Sequence, residues 1–286
     1  MAQATLPVID PGSPTAGGHE TCLGCTKRQD SWLAGPAATF LAIMAFIVYS
    51  TWAAFQGQHY YAEPYLSPFY APVLLERADP ALAGTTITGS ASGQTHAWFG
   101  TEWPAFIPGF VTPAMLILIF PGAFRFTCYY YRKAYYRSFA ASPPGCAVGG
   151  VQYDYKGERA LLVFQNLHRY ALYIAIIFIG LLYWDAFLAL KKNGQWGIGV
   201  GTLVLFANAT LLAGFTFGCN SFRHLVGGNL DWYSTHPIRH RLWRWVTVLN
   251  QRHMQFAWVS LFSVGFADFY VRMVSMGKIT DLNTWQ

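Results

Sequence analysis

The sequence predicts an all-α membrane protein, a helical bundle of five transmembrane helices with a cytoplasmic N-terminus. Three observations carry this. Of 286 residues, 53 % are apolar and only 11 % charged, where a soluble domain has roughly 25 % charged, so much of the surface must face something other than water. Five windows are each apolar over roughly the 20 residues a helix needs to cross a hydrocarbon core about 30 Å thick. The basic residues, finally, fall mostly on one side of those windows. Other classes are excluded by the same numbers. Aromatic residues at 17 % rule out a disordered chain, and five cysteines are too few for a disulfide-rich secreted module. The net charge of +6 is spread over 19 Lys and Arg between apolar runs, so it reports orientation in a membrane and no nucleic-acid partner is expected.

Residues 1–33 are polar, with Pro, Gly and Cys and no apolar core, so they read as a cytoplasmic N-terminal segment and not as a cleavable signal peptide. The transmembrane domain runs over 34–275, with spans at about 34–55, 105–127, 161–189, 196–222 and 246–271. Pro108, Pro113 and Pro121 disturb the second span, which predicts a kinked helix or one starting near Val111, because each proline removes a backbone donor. The segment 56–104 is a long outer loop with His59 and His96, expected to pack as a lid on the bundle. Segments 133–160 and 226–245 are inner loops, and 276–286 is an outer tail. With the N-terminus inside, only Arg77, Lys191, Lys192, Arg272 and Lys278 lie outside, leaving 14 of the 19 basic residues inside.

An internal repeat sits at the inner ends of the second and fourth spans. Phe124-Arg-Phe126-Thr-Cys128-Tyr-Tyr-Tyr131-Arg132 matches Phe215-Thr-Phe217-Gly-Cys219-Asn-Ser-Phe222-Arg223, giving F-x-F-x-C-x-x-(Y/F)-R. The helices that follow open with Gln165-Asn-Leu-His168 and Asn250-Gln-Arg-His253. If the second and fourth helices end near 136 and 226, and the third and fifth begin near 160 and 245, all four side chains lie about two turns from the inner end. Cys128, His168, Cys219 and His253 are therefore expected at one level on four adjacent helices, which is how bundles build metal sites. Two thiolates and two imidazoles suit a tetrahedral zinc or a Rieske-type [2Fe-2S] cluster. Because packing already holds the helices, an electron-carrying cluster is the preferred reading, with Cys128 and Cys219 on one iron and His168 and His253 on the other. The alternative is a haem b held by the two histidines, with both cysteines as small fillers. A non-redox transporter or scaffold ranks last, since the polar intramembrane residues cluster at one depth and line no track.

Further candidates surround this level. Arg132 and Arg223, four residues after each Cys, fall one turn inward on the same helix face and are expected to offset the charge of a bound cofactor. His224 suits a headgroup or a quinone, and is the substitute ligand for His253. Tyr131, Trp232, Tyr233 and Trp243 supply donors and aromatic surface for a quinone beside the inner loop. His19-x-x-Cys22-x-x-Cys25 reads as half of a zinc or redox motif that Cys146 would complete. Asp185 and Asp268 are expected to pair with Lys192 and Arg272.

Five spans, inward Cys/His pairs and the two F-x-F-x-C-x-x-(Y/F)-R segments together resemble the single membrane-anchor subunit of actinobacterial, mycobacterial-type succinate dehydrogenases, respiratory complex II. The resemblance implies a multi-pass protein of the bacterial cell membrane, a subunit of an enzyme that does not itself oxidise succinate. It implies partners on the cytoplasmic side, a flavoprotein with FAD and a soluble iron–sulfur subunit, and delivery of electrons to menaquinone or ubiquinone in the lipid. It further implies a Rieske-type cluster within the membrane domain, although the C-x-H and C-x-x-H loops of soluble Rieske proteins are missing here.

Overall fold

Lipid offers a backbone no hydrogen-bond partners, so the apolar windows fold as helices that satisfy themselves. The computed structural model describes residues 24–26, 28–75, 97–100, 103–141, 145, 147–149 and 160–285. Along them run α1 (Ala34–Gln56), α2 (Pro113–Thr127), α3 (Tyr129–Ser138), α4 (Leu161–Leu188), α5 (Val200–Phe217), α6 (Asn220–Gly227), α7 (Pro237–Gln251) and α8 (His253–Ser275). Two antiparallel hairpins, β1 (Tyr61–Ala62) with β2 (Tyr65–Leu66) and β3 (Lys191–Lys192) with β4 (Gln195–Trp196), turn the chain at one end of the bundle. By length and composition α1, α4, α5 and α8 are each able to cross a membrane, and the remaining expected span falls on the pair α2 and α3, which is bent by 77° as a broken span or a re-entrant loop. The end of the bundle where α1 starts is called the N-terminal face below.

Helix boundaries correct one expectation. α2 starts with Pro113 in its first turn after an extended Thr112, close to the predicted Val111. The windows 196–222 and 246–271, however, are each interrupted. Cys128 and Cys219 do not sit inside continuous helices but at breaks, with extended dihedrals of φ −63°, ψ 125° and φ −66°, ψ 142°. His253 is likewise the first residue of α8, whereas His168 lies two turns into α4 as expected.

The breaks persist because their freed backbone groups find partners. At the first, Thr127 turns its hydroxyl back onto the Ala123 carbonyl (2.7 Å), and the buried Arg132 guanidinium donates to the Thr127 carbonyl. At the second, Asn250 donates its amide to the Gly218 carbonyl (2.8 Å). Gly218 is required there: a Cβ would stand 2.6 Å from the Gly214 carbonyl oxygen and 3.1 Å from that of Leu249. Small residues let the central pair α5 and α8 approach closely, with Ala209, Ala257, Ser260 and Ala267 fully buried.

At the opposite end, residues 57–75 of the loop 56–104 pack on the bundle, and 76–96 of that loop lie outside the described residues. Tyr70 donates to the Ala53 carbonyl (2.8 Å) and Thr112 to that of Ala54 (2.5 Å), capping carbonyls that α1 leaves open. Asp268 and Arg272 are both fully buried and paired at 3.3 Å, as expected, and Asp268 also accepts from Tyr49 (2.6 Å) and Ser67 (2.5 Å). Asp185 does not pair with Lys192 among the described residues; its Oδ2 is buried without a hydrogen-bond partner.

On the N-terminal face, Gly24–Thr26 runs antiparallel to 147–149 through bonds of Gly24 to Gly149 (2.8 Å) and Gly149 to Cys25 (2.7 Å). Cys25 is disulfide-bonded, and His19, Cys22 and Cys146 lie outside the described residues.

Candidate functional site

The two breaks bring the repeat together. Cys128 joins α2 to α3 and Cys219 joins α5 to α6, so each thiol stands at the N-terminal end of a short helix. Backbone N–H groups opening those helices point at the sulfurs: Ser221 donates to Cys219 Sγ (3.3 Å), and Tyr130 and Tyr131 face Cys128. Such positions favour negative charge. Both cysteines are free and buried.

The histidines meet the cysteines crosswise. His168 Nε2 lies 3.0 Å from Cys219 Sγ, and Cys128 Sγ lies 3.6 Å from His253 Nε2. Each thiol is thus matched with the imidazole of the other repeat. Within a repeat the contact is aromatic. Phe124 stacks on His168 with centroids 4.6 Å apart and 10° between planes, and Phe215 stacks on His253 at 4.9 Å and 16°. Each phenylalanine stands four residues before its cysteine. The spacing is visible in the repeat, but the stacking on a histidine of another helix is not.

One difference breaks the symmetry. Thr127 Oγ1 lies 2.9 Å from His168 Nδ1 and fixes that ring. The equivalent residue in the second repeat is Gly218, and His253 Nδ1 is buried without a hydrogen-bond partner among the described residues.

All four candidate ligands line one cavity of about 340 Å³, together with Gln165, Asn166, Arg169, His224 and Asn250 at its polar side. Among the described residues no group of three or more His, Cys, Asp or Glu converges as a site for a single metal ion. His224 is at the cavity, with Arg169 Nη2 3.3 Å from its Nδ1. Beyond Phe124 and Phe215, on their other side, a second and mostly apolar cavity of about 390 Å³ opens between α1, α2, α4, α5 and α8, with Arg125 in its wall. Arg125 escaped the sequence reading. Its guanidinium lies 4.8 Å from the centre of the Phe215 ring that stacks on His253, and donates to Ser260 (3.0 Å). The available signal was a cation inside a predicted span.

The other predicted residues take different places. Arg132 covers the Phe164 ring at 4.9 Å besides holding the α2 break, and Arg223 bonds Thr247 (3.0 Å) over the Trp243 ring (4.7 Å). Neither lines the cavity, because the chain bends at each cysteine and carries the next helix aside. They brace the hairpins that present the cysteines. Tyr131 is buried and donates to the Ala257 carbonyl (2.6 Å), tying α3 to α8. Tyr233 and Trp243, with His240, form an aromatic group on the α6–α7 hairpin, and Trp232 is 73 % exposed. Of the expected quinone residues only His224 lines the cavity.

Comparison with known proteins accords with this architecture. A family model described as actinobacterial succinate dehydrogenase subunit SdhC matches residues 34–277. A chain of the Mycobacterium smegmatis Sdh1 complex in the apo form is similar at 37 % identity and a TM-score of 0.80, over 96 % of this chain and 98 % of that one. Comparison with curated proteins finds no match.

Proposed function

Since the chain belongs to the actinobacterial succinate dehydrogenase subunit SdhC family, we propose that it works as follows. It anchors the flavoprotein and soluble iron–sulfur subunits of succinate dehydrogenase at the cytoplasmic face of the cell membrane. It then passes their electrons to menaquinone or ubiquinone through a Rieske-type [2Fe-2S] cluster in the bundle. One observation carries the cluster: Cys128, His168, Cys219 and His253, from four parts of the chain, border one cavity. The donor set fits such a group. Two buried free thiols and two imidazoles face one space, and two separate thiol–imidazole pairs suit a binuclear group better than a single ion. The crosswise contacts do not favour two thiols on one iron, so the four are proposed as a donor set without dividing them between the irons.

A [2Fe-2S] cluster held by these four residues supplies one-electron transfer. The chain's own residues do the rest. Phe124 and Phe215 close the apolar side and exclude water, and Thr127 fixes His168 so that Nε2 faces the cavity. The N-terminal ends of α3 and α6 favour negative charge at the sulfurs. Gln165, Arg169, His224 and Asn250 form a polar rim with donors for a quinone carbonyl.

The test is the His168→Ala/His253→Ala variant of the assembled complex. Succinate oxidation by a soluble dye should persist, while quinone reduction and the Rieske-type signal in low-temperature electron paramagnetic resonance of the reduced complex should vanish. Unchanged quinone reduction would sink the proposal.

A further inference from the structure

The bend at Cys128 has a second result, at the edge of the bundle. It lays α3 across the end of α2 at 77°, and the sequence of α3, YYYRKAYYRS, holds basic and aromatic residues and no acid. Between α3, the start of α1 and the start of α8 runs a groove of about 420 Å³. Three cations enter it: Lys133 and Arg137 from α3, and Arg28 from the N-terminal segment. Its walls are the apolar or aromatic Trp32, Tyr130 and Met254.

Lys133 and Arg137 are one helical turn apart on the same face, where like charges repel. Both are exposed, and neither makes a hydrogen bond or ion pair among the described residues. Arg28 is held beside them by Asp30, which accepts from its Nε at 2.7 Å and also contacts Nη2. The guanidinium keeps the Asp30 carboxyl below its ordinary range. Among the described residues that line the groove, Lys133 and Arg137 carry positive charge with no carboxylate against them.

Its position selects the anion. The groove opens beside Ala34, where the apolar run of α1 begins, at the level where basic pockets meet lipid headgroups. Trp32 and Tyr130 are the residue types that line membrane interfaces. Towards the bundle centre, Phe40 of α1 packs on Phe139 at 4.9 Å, and Phe40, Leu41 and Phe139 are all exposed, an apolar track on which acyl chains can lie.

We infer that this groove is a binding site for the phosphate headgroup of an anionic phospholipid, held by Arg28, Lys133 and Arg137 with its acyl chains along α1. The chemistry recognised is a phosphate. The apolar track distinguishes a lipid from free phosphate, and an acidic segment of a neighbouring subunit would have no use for it.

The experiment is native mass spectrometry of the detergent-purified complex with cardiolipin, phosphatidylcholine or inorganic phosphate added. The complexes compared are the wild type, Lys133→Gln/Arg137→Gln, and Lys191→Gln/Lys192→Gln on the opposite face. Cardiolipin should bind the wild type and the opposite-face variant alike. In the groove variant, the cardiolipin concentration for half occupancy should rise roughly thirtyfold, about fivefold for each basic group removed. Equal cardiolipin binding in all three complexes overturns the inference. So does binding of inorganic phosphate without cardiolipin, or loss of the soluble subunits from the groove variant with lipid retained. Should that variant fail to assemble, a photoactivatable anionic lipid on the wild type decides: crosslinks at Trp32 and 130–137 support the site, and crosslinks elsewhere overturn it.

Discussion

Gly218→Ala tests whether the break at Cys219 is built by close packing. Gly218 has φ −77° and ψ −4°, dihedrals any residue adopts, so the substitution brings no backbone strain of its own. Its cost is steric. The new Cβ would stand 2.6 Å from the Gly214 carbonyl oxygen, about 0.8 Å inside the 3.4 Å edge of ordinary contact, and 3.1 Å from that of Leu249. Both atoms are backbone, so the end of α5 or of α7 must shift. Overpacking of this kind costs about 1–3 kcal/mol. The shift also strains the 2.8 Å bond from Asn250 to the Gly218 carbonyl and moves the residue before Cys219, whose sulfur lies 3.0 Å from His168. Gly180→Ala is the control, because its Cβ meets nothing within 4 Å, and an added methyl at a helical glycine is expected to be neutral or to stabilise by roughly 0.5–1 kcal/mol. The assay is thermal unfolding of the purified complex together with its paramagnetic spectrum. Gly218→Ala should unfold earlier than Gly180→Ala and show an altered or weakened signal. Matching stability and spectra in the two variants would refute the reasoning.

Three further expectations follow from the same geometry. Thr127→Val removes the 2.9 Å partner of His168 Nδ1, leaving a buried polar atom unsatisfied at about 1–3 kcal/mol; the spectrum should shift and Thr127→Ser should restore it, and an unchanged spectrum in Thr127→Val denies the positioning role. Cys128→Ala/Cys219→Ala should abolish quinone reduction and the Rieske-type signal, whereas a haem b held by the two histidines would leave that variant active with its haem absorbance intact. Asp268→Asn leaves the buried Arg272 guanidinium without its paired carboxylate, its acceptors among the described residues then being neutral, such as the Gln58 carbonyl (2.9 Å), and should destabilise the complex by about 3–5 kcal/mol, with much of the loss recovered in Asp268→Asn/Arg272→Met; a melting curve that does not move would argue against the buried pair.

The site's depth was legible because the repeat is local: F-x-F-x-C-x-x-(Y/F)-R and the two downstream histidines stand in plain order. The breaks were not, because what holds them is distant or faces away from the pattern. Asn250 reaches the Gly218 carbonyl from the end of α7, and no hydropathy window around Gly218 contains it. Arg132 illustrates the same limit. Its spacing from Cys128 assumed a continuous helix, and once the chain bends the guanidinium turns to the Thr127 carbonyl. The packing of residues 57–75 on the opposite end was foreseeable from the length of the loop, but its anchor on Asp268 combines Tyr49, Ser67 and Arg272 from three regions of sequence. Crosswise pairing depends on the order of helices around the bundle, which periodicity within one helix does not encode.

That crossing bears on how the protein is made. Chains emerge from the ribosome N-terminal part first, so Cys128 and His168 enter the bilayer before Cys219 and His253 exist. During that interval each group of the early half lacks its counterpart, and neither half alone contains a matched pair. Insertion of the last helix is therefore the event that completes the site, and a chain truncated before α8 would be missing one donor however well its first helices had folded. On the proposed reading, only an anchor with α8 in place, which begins at His253, presents all four donors.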